Sequence, residues 1–100
     1  VVQKIQSKGA KVILVTPAVI GERNDQSNPQ DGELNLYANW IRQYAAQKQL
    51  TLVDCRKLFL DYSIKNNPKQ LDKGFLTYDR VHLNDAGNQL VADAIWEAIK

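Results

Sequence analysis

The feature that most constrains the fold is a continuous apolar run at residues 11–16, Lys-Val-Ile-Leu-Val-Thr, which Pro17 ends. A run of β-branched residues without polar alternation is typical of a strand buried on both faces of a parallel sheet. A shorter apolar run at residues 50–53 predicts a second strand, and a helical pattern at residues 34–48 lies between the two. This order indicates a right-handed crossover that joins two parallel strands, and hence an α/β fold.

Three more segments have the pattern of a helix. Residues 1–8 predict a helix that Gly9 ends, because glycine is the usual residue in the left-handed conformation after a helix. Residues 56–65 predict another, and a final helix with an apolar face is predicted to begin near its N-cap residue, Asn84. In the helix at 34–48, three aromatic side chains are expected to pack against the sheet: Tyr37, Trp40 and Tyr44.

The predicted sheet is incomplete, since two strands that are apolar on both faces cannot cover each other. The chain also contains no methionine, and its first helical pattern has no visible start. We therefore expect residues 1–100 to be the C-terminal part of a doubly wound α/β domain, or to assemble with a second chain that completes the sheet. The chain alone is expected to be marginally stable, because an open sheet exposes apolar surface.

Composition excludes several classes of function. A net charge of +2 gives no basic surface for nucleic acid, and no apolar stretch approaches the about 20 residues that span a bilayer. One cysteine and one histidine cannot build a structural zinc site, and the scattered glycines form no phosphate-binding loop. No metal or cofactor is therefore predicted, while cytoplasm, periplasm and secretion all stay open.

The residues that suggest chemistry lie in the segment 76–88, where Asp79 stands three positions before the only histidine, His82. In a loop just ahead of the last helix, this spacing lets both side chains point toward one spot. A neutral imidazole, with an ordinary pKa of about 6.5, can take a proton from a hydroxyl nucleophile and return it to a leaving group. An adjacent carboxylate would fix the tautomer and stabilise the imidazolium. The spacing alone also allows a histidine that only packs or caps before a helix.

The pattern Asp-x-x-His-x-Asn-x-x-Gly-Asn at residues 79–88 resembles the last motif of the GDSL/SGNH serine esterases, especially their bacterial branch. Other segments are similar to that family in order and spacing: residues 12–17, the polar loop after them, Tyr37 and residues 52–54. The resemblance covers nearly the whole chain, and it is specific because several ordered segments agree.

This resemblance implies a three-layer α/β/α, flavodoxin-like fold with a parallel sheet, and hydrolysis of acyl or acetyl esters by a Ser-His-Asp triad. Asp79 would orient the imidazole, and His82 would act as base and acid. The family's serine lies in a Gly-Asp-Ser block near the N-terminus, and two further blocks supply the oxyanion hole; none of these blocks occurs here. The chain would therefore supply two triad members for a small ester substrate (a lipid, an acetylated sugar or a simple ester) and be inactive alone.

Two residues are candidates for the substrate rim. Arg80 stands where the family usually has a small residue, and we expect a conventional loop conformation there, with the side chain either solvated or at the mouth of the site. Val19 leads into the polar loop, which is interpreted as a surface connection that can reach the rim.

Other reactive side chains have structural interpretations. Cys55 is expected to be a small buried thiol, and Asp54 is expected to cap the next helix. The three serines are predicted to lie at a helix end, in a loop and in a helix, none at the strand-to-helix turn that a nucleophile needs: Ser7, Ser27 and Ser63. A non-catalytic α/β module that binds a partner or a carbohydrate is therefore the alternative function.

Overall fold

The computed structural model describes residues 2–9 and 11–99. Its elements are α1 (Val2–Ser7), β1 (Ile13–Val15), α2 (Asp31–Lys48), β2 (Thr51–Val53), α3 (Cys55–Asn66) and α4 (Asp85–Ile99). The two strands pair in parallel, with Leu14 opposite Leu52. The α/β architecture and the parallel pairing are therefore confirmed.

The predicted boundaries differ most at β1 and α2. β1 is shorter than its apolar run at both ends, since the parallel pairing begins at Ile13 and ends at Val15. α2 begins three residues earlier than expected, since the Asp31 carboxylate accepts the backbone N–H of Asn28 at 3.0 Å and closes the turn before the helix. Gly9 follows α1 with φ +83, as predicted, while Val1 lies outside the described residues.

Polar side chains join the carboxyl ends of the two strands. Thr16 Oγ1 donates to Asp54 Oδ1 at 3.0 Å and accepts the backbone N–H of Arg56 at 3.0 Å. Asp54 accepts the N–H of Lys57 at 3.2 Å, which confirms it as the N-cap of α3, and its other oxygen pairs with Arg42 of α2 at 2.7 Å. One carboxylate thus ties both strands to the helices that follow and precede β2.

The second junction is a buried ion pair between Arg56 and Asp31, whose side chains are only 1% and 3% exposed. Arg56 Nη2 lies 2.9 Å from Asp31 Oδ1, Nε donates to Asn35 Oδ1 at 2.7 Å, and Nη1 donates to the carbonyl of Ala18 at 2.9 Å. Every nitrogen of the guanidinium therefore has a partner, as a buried charge requires. The pair fixes the start of α3 against the start of α2 and the loop after β1.

The prediction that the α2 aromatics pack in the core is wrong for Tyr37 and Trp40, while Tyr44 is half-buried. Tyr37 and Trp40 are 63% and 64% exposed, and Trp40 stacks on the ring of Tyr44 with centroids 5.3 Å apart. The buried stripe of α2 carries Ala38 and Ala45 instead, two helical turns apart. Small residues allow close approach to the strands, and the two ion pairs of α2 described above set which face turns inward.

The apolar surface of the sheet is only partly covered within the described residues. Val15 is 43% exposed, so the burial predicted for both faces of this strand is not reached there, and Trp96 and Ile99 of α4 are also exposed. The core consists of Val19, Phe59 and Leu76, with further side chains from α3, α4 and the preceding loop packed around it. None of the described helices is long and apolar enough to cross a membrane.

The buried pair predicts a large effect of one substitution. Arg56→Met keeps much of the side-chain volume but leaves the Asp31 carboxylate buried without its cation, so the free energy of unfolding should fall by about 3–5 kcal/mol. Urea denaturation of the full-length protein measures it. Lys57→Met, which removes an exposed pair with Asp61 in the same helix, is the control and should cost less than about 1 kcal/mol. Equal losses in the two variants would contradict this account of Arg56.

Candidate active site

Asp79 and His82 lie at the tip of a short turn near the end of the connection between α3 and α4. Thr77 and Leu83 form an isolated antiparallel bridge, and the N–H of Tyr78 donates to the carbonyl of His82 at 3.2 Å. These contacts close the base of the loop, which we call the Asp-His turn (residues 77–83). The structure therefore brings the two sequence-predicted residues together on a closed turn.

The Asp79 carboxylate uses both oxygens to hold this turn. Oδ1 accepts the backbone N–H groups of Val81 at 3.0 Å and His82 at 2.6 Å, and Oδ2 lies 2.5 Å from His82 Nδ1. The backbone N–H of His82, then its imidazole, then the N–H of Val81 lower the pKa of Asp79 to about 2. The carboxylate is therefore ionised at neutral pH and can only accept, so Nδ1 carries the proton and Nε2 of the neutral ring keeps a lone pair.

The imidazole of His82 is oriented but accessible. Its side chain is 69% exposed, and the ring stacks on Tyr78 with centroids 5.9 Å apart and planes 17° apart. Among the described residues, no hydrogen bond joins Nε2 to another group. A ring held on one nitrogen with the other available is the arrangement that a general base needs.

Arg80 does not have the conventional loop conformation that was expected. Its φ is +81, a left-handed value that costs a side chain about 1–2 kcal/mol. Hydrogen bonds on both sides hold it there: its N–H donates to Thr77 Oγ1 at 3.1 Å, and its carbonyl accepts the N–H of Gly21 at 2.8 Å. Its side chain is partly exposed, beside Asp79, so a rim role stays a prediction.

Val19 is not at an exposed rim. Its side chain is 7% exposed and packs in the core with Phe59 and Leu76. The rim assignment is corrected because the loop after β1 folds inward at this point, and its apolar side chains fill the space between α3 and the segment before the Asp-His turn.

The loop between β1 and α2 is also more ordered than a plain surface connection. Glu22, a residue that sequence reasoning missed, is 3% exposed, and its carboxylate accepts four hydrogen bonds from residues 75–77. No local pattern marks it, since its partners lie more than fifty positions away. An acid directly after a glycine in a polar loop looks like any solvated charge until the fold is known.

The other nucleophile candidates stay away from His82. Ser63 is buried in α3, where its Oγ donates to the carbonyl of Glu22 at 2.5 Å, and Ser7 donates to the carbonyl of Lys4. Cys55 is 2% exposed, and burial raises the pKa of its thiol, so its interpretation as a buried structural thiol is confirmed. Within the described part of the chain, no cluster of three metal-ligating side chains occurs.

A cavity of about 350 Å³ lies between β2, α3 and α4. Its walls are mostly apolar, with Asp54, Lys57 and Glu97 at the edges, and none of its lining residues belongs to the Asp-His turn. The chemistry of the turn therefore does not involve this cavity.

A family model described as the GDSL-like lipase/acylhydrolase family matches residues 1–90. Among curated proteins, none matches the chain.

Solved structures give a consistent match. The chain is 54% identical to the acetyl xylan esterase AlAXEase, with a TM-score of 0.95. The match covers 99% of this chain and 50% of AlAXEase. A catalytic serine-to-alanine mutant of the acetylxylan esterase Axe2 from Geobacillus stearothermophilus is 26% identical, with a TM-score of 0.78 over 98% of this chain and 42% of that one. The esterase domain of a zebrafish retrotransposon protein shares the fold. It is 17% identical, with a TM-score of 0.64, and the match covers 96% of this chain and 51% of that one. The chain thus spans about half the length of the structures that it matches.

The lowered pKa of Asp79 predicts a pH dependence. Its ionised form stabilises the fold above the ordinary value of 3.8, and this contribution is lost as the pH falls toward about 2. Asp79→Asn should therefore reduce the free energy of unfolding most above pH 4, and the difference from wild type should shrink toward pH 2. Urea denaturation at a series of pH values measures it. A difference independent of pH would show that the carboxylate charge is not what holds the turn.

Proposed function

The chain belongs to the GDSL-like lipase/acylhydrolase family, and from this we propose that it supplies the Asp and His of a serine ester hydrolase. The observation that carries the proposal is the 2.5 Å contact between Asp79 Oδ2 and His82 Nδ1, with Nε2 exposed and available. The nucleophilic serine then comes from a segment outside residues 1–100. Ser7, Ser27 and Ser63 are poor candidates for that role because none is bonded to His82.

In the proposed reaction, Nε2 of His82 takes the proton of the serine hydroxyl as its oxygen attacks the ester carbonyl. Asp79 stabilises the imidazolium through Nδ1–H. The tetrahedral intermediate collapses when the imidazolium returns the proton to the leaving alcohol, which leaves an acyl-enzyme. Water then repeats the sequence: His82 takes a proton from water, the hydroxide attacks the acyl group, and the serine leaves with the proton.

The proposed domain organisation is that residues 1–100 form the C-terminal part of one SGNH-type α/β/α domain. Two observations support it: the chain spans half the length of AlAXEase, and the described sheet has only two strands, with the side chain of Val15 in β1 left 43% exposed. In this organisation a further strand pairs with the open edge of the sheet and carries the remaining catalytic groups to the carboxyl ends, where ligands bind in open α/β sheets.

The proposed substrate class is an acetyl ester on a carbohydrate. The 54% identity to an acetyl xylan esterase supports this choice over a long-chain lipid ester. Arg80 is the proposed rim residue, since it follows Asp79 directly on the Asp-His turn, its side chain is partly exposed, and a guanidinium can donate to sugar hydroxyl or carboxylate oxygens.

Two substitutions in the full-length protein test the proposal. His82→Ala removes the base, and Asp79→Asn removes the charge that holds the tautomer, so each should lower kcat for p-nitrophenyl acetate by a factor of about 10³ to 10⁴. Asp85→Asn, an exposed acid at the start of α4, is the matched control and should keep kcat within about twofold. Near-wild-type turnover by His82→Ala would end the assignment.

A further inference from the structure

Two consecutive residues of the loop after β1 form hydrogen bonds with the Asp-His turn. Gly21 contacts Arg80 of the turn through its backbone, and Glu22 contacts Thr77 through its buried side chain. The proposed reaction uses neither residue chemically.

The Glu22 carboxylate is a fixed acceptor for the segment that leads into the turn. Oε1 accepts the N–H of Leu76 at 2.7 Å, and Oε2 accepts the N–H groups of Phe75 at 3.2 Å and Thr77 at 3.1 Å. The hydroxyl of Thr77 also donates to Oε2, at 2.7 Å. Three successive backbone amides and one hydroxyl therefore share one carboxylate, which offsets the cost of burying its charge and fixes the path of the chain.

Thr77 transmits this position into the turn itself. Its Oγ1 donates to Glu22 and accepts the N–H of Arg80 at 3.1 Å, so the hydroxyl has a defined orientation. From the other side, the N–H of Gly21 donates to the carbonyl of Arg80 at 2.8 Å. Arg80, the residue with positive φ between Asp79 and His82, is thus held at both its N–H and its carbonyl.

Glu22 is itself bonded to α3 and to the loop that follows it. The backbone N–H of Glu22 donates to the carbonyl of Asp72 at 3.0 Å, and its carbonyl accepts Ser63 Oγ and Asn67 Nδ2 at 2.5 and 3.2 Å. Gly21 has φ +103, and a Cβ there would overlap the side chain of Asn28. The glycine is therefore required for the loop to bring Glu22 into this position.

We propose that Glu22 is the positioning residue of the catalytic pair, acting through the hydroxyl of Thr77 and the backbone of Arg80. The inference rests on the proposed function, because it assumes that Asp79 and His82 serve the reaction. Glu22 touches neither substrate nor the reacting atoms in this account. It holds the strained residue between the two catalytic side chains, so that the Asp79 carboxylate meets His82 Nδ1.

The test uses Thr77 in the full-length protein, because its hydroxyl is the link that can be cut while Glu22 keeps its backbone partners. Thr77→Val is nearly isosteric and removes the hydroxyl, and Thr77→Ser keeps it. We expect Thr77→Val to lower kcat about 10- to 100-fold with KM within about twofold, since small displacements of catalytic groups cost rate and not binding. Thr77→Ser should stay within about threefold of wild type. Glu22→Gln, which turns an amide NH₂ toward backbone donors, should lower kcat at least as much.

A spectroscopic measurement separates positioning from general loss of structure. In wild type, the Nδ1–H proton of His82 should give a far-downfield NMR signal, assigned by its loss in His82→Ala, because it is hydrogen-bonded to an ionised carboxylate. Thr77→Val should move this signal upfield or broaden it, and Thr77→Ser should restore it. The circular dichroism spectrum and melting temperature of each variant report whether the fold persists.

Three outcomes would overturn the inference. Unchanged kcat in Thr77→Val is the first, and a lower kcat with an unchanged His82 signal is the second. Equal loss in Thr77→Val and Thr77→Ser is the third, because the serine variant retains the hydroxyl. If wild type hydrolyses no ester, the proposed function fails instead, and the His82 signal across the same variants still decides whether Glu22 positions the pair.

Discussion

Glu22 is buried and joins the loop after β1 to α3 and to the segment that leads into the Asp-His turn. Its backbone is bonded to α3 and its side chain to residues 75–77, so displacement of the loop would leave a buried charge without donors. The same requirement governs Arg56 and Asp31 at the other end of that loop. Among the described residues, no buried side-chain nitrogen or oxygen lacks a hydrogen-bond partner. With strands of three residues each, these polar junctions determine how the helices sit on the sheet.

Polar contacts of this kind also explain how Asp79 and His82 can be ordered although they are exposed. Asp79 and His82 have little surrounding packing, since both lie at the tip of a solvent-exposed turn. Their geometry comes instead from hydrogen bonds: the Asp79 carboxylate holds the tip, and the Thr77–Leu83 bridge closes the base. The positive φ of Arg80 is the local cost of this arrangement, offset by the bonds from Gly21 and Thr77.

Local patterns in the sequence were sufficient to predict the secondary structure and one helix cap, but not the contacts between distant segments. The strand runs, the Asp54 cap and the last helix follow from period and capping residues within a few positions, and the structure confirms them. The inward face of α2 could not be predicted, because two ion pairs outweigh the aromatic pattern in setting the helix rotation. Glu22 depends on residues 75–77, and the carbonyl of Arg80 depends on Gly21, in each case partners more than fifty positions away. Only the folded chain brings those partners together, whereas Asp79 and His82 are neighbours already.

The central claim is that His82 Nε2 is the base for a serine supplied from outside these residues. A crystal structure of the full-length protein after reaction with diethyl p-nitrophenyl phosphate tests it most directly, because the reagent labels only an activated hydroxyl. The account predicts one diethylphosphoryl group on a serine outside residues 1–100, with its Oγ about 3 Å from His82 Nε2. A label on Ser7, Ser27 or Ser63, or a labelled serine that His82 does not reach, would contradict it.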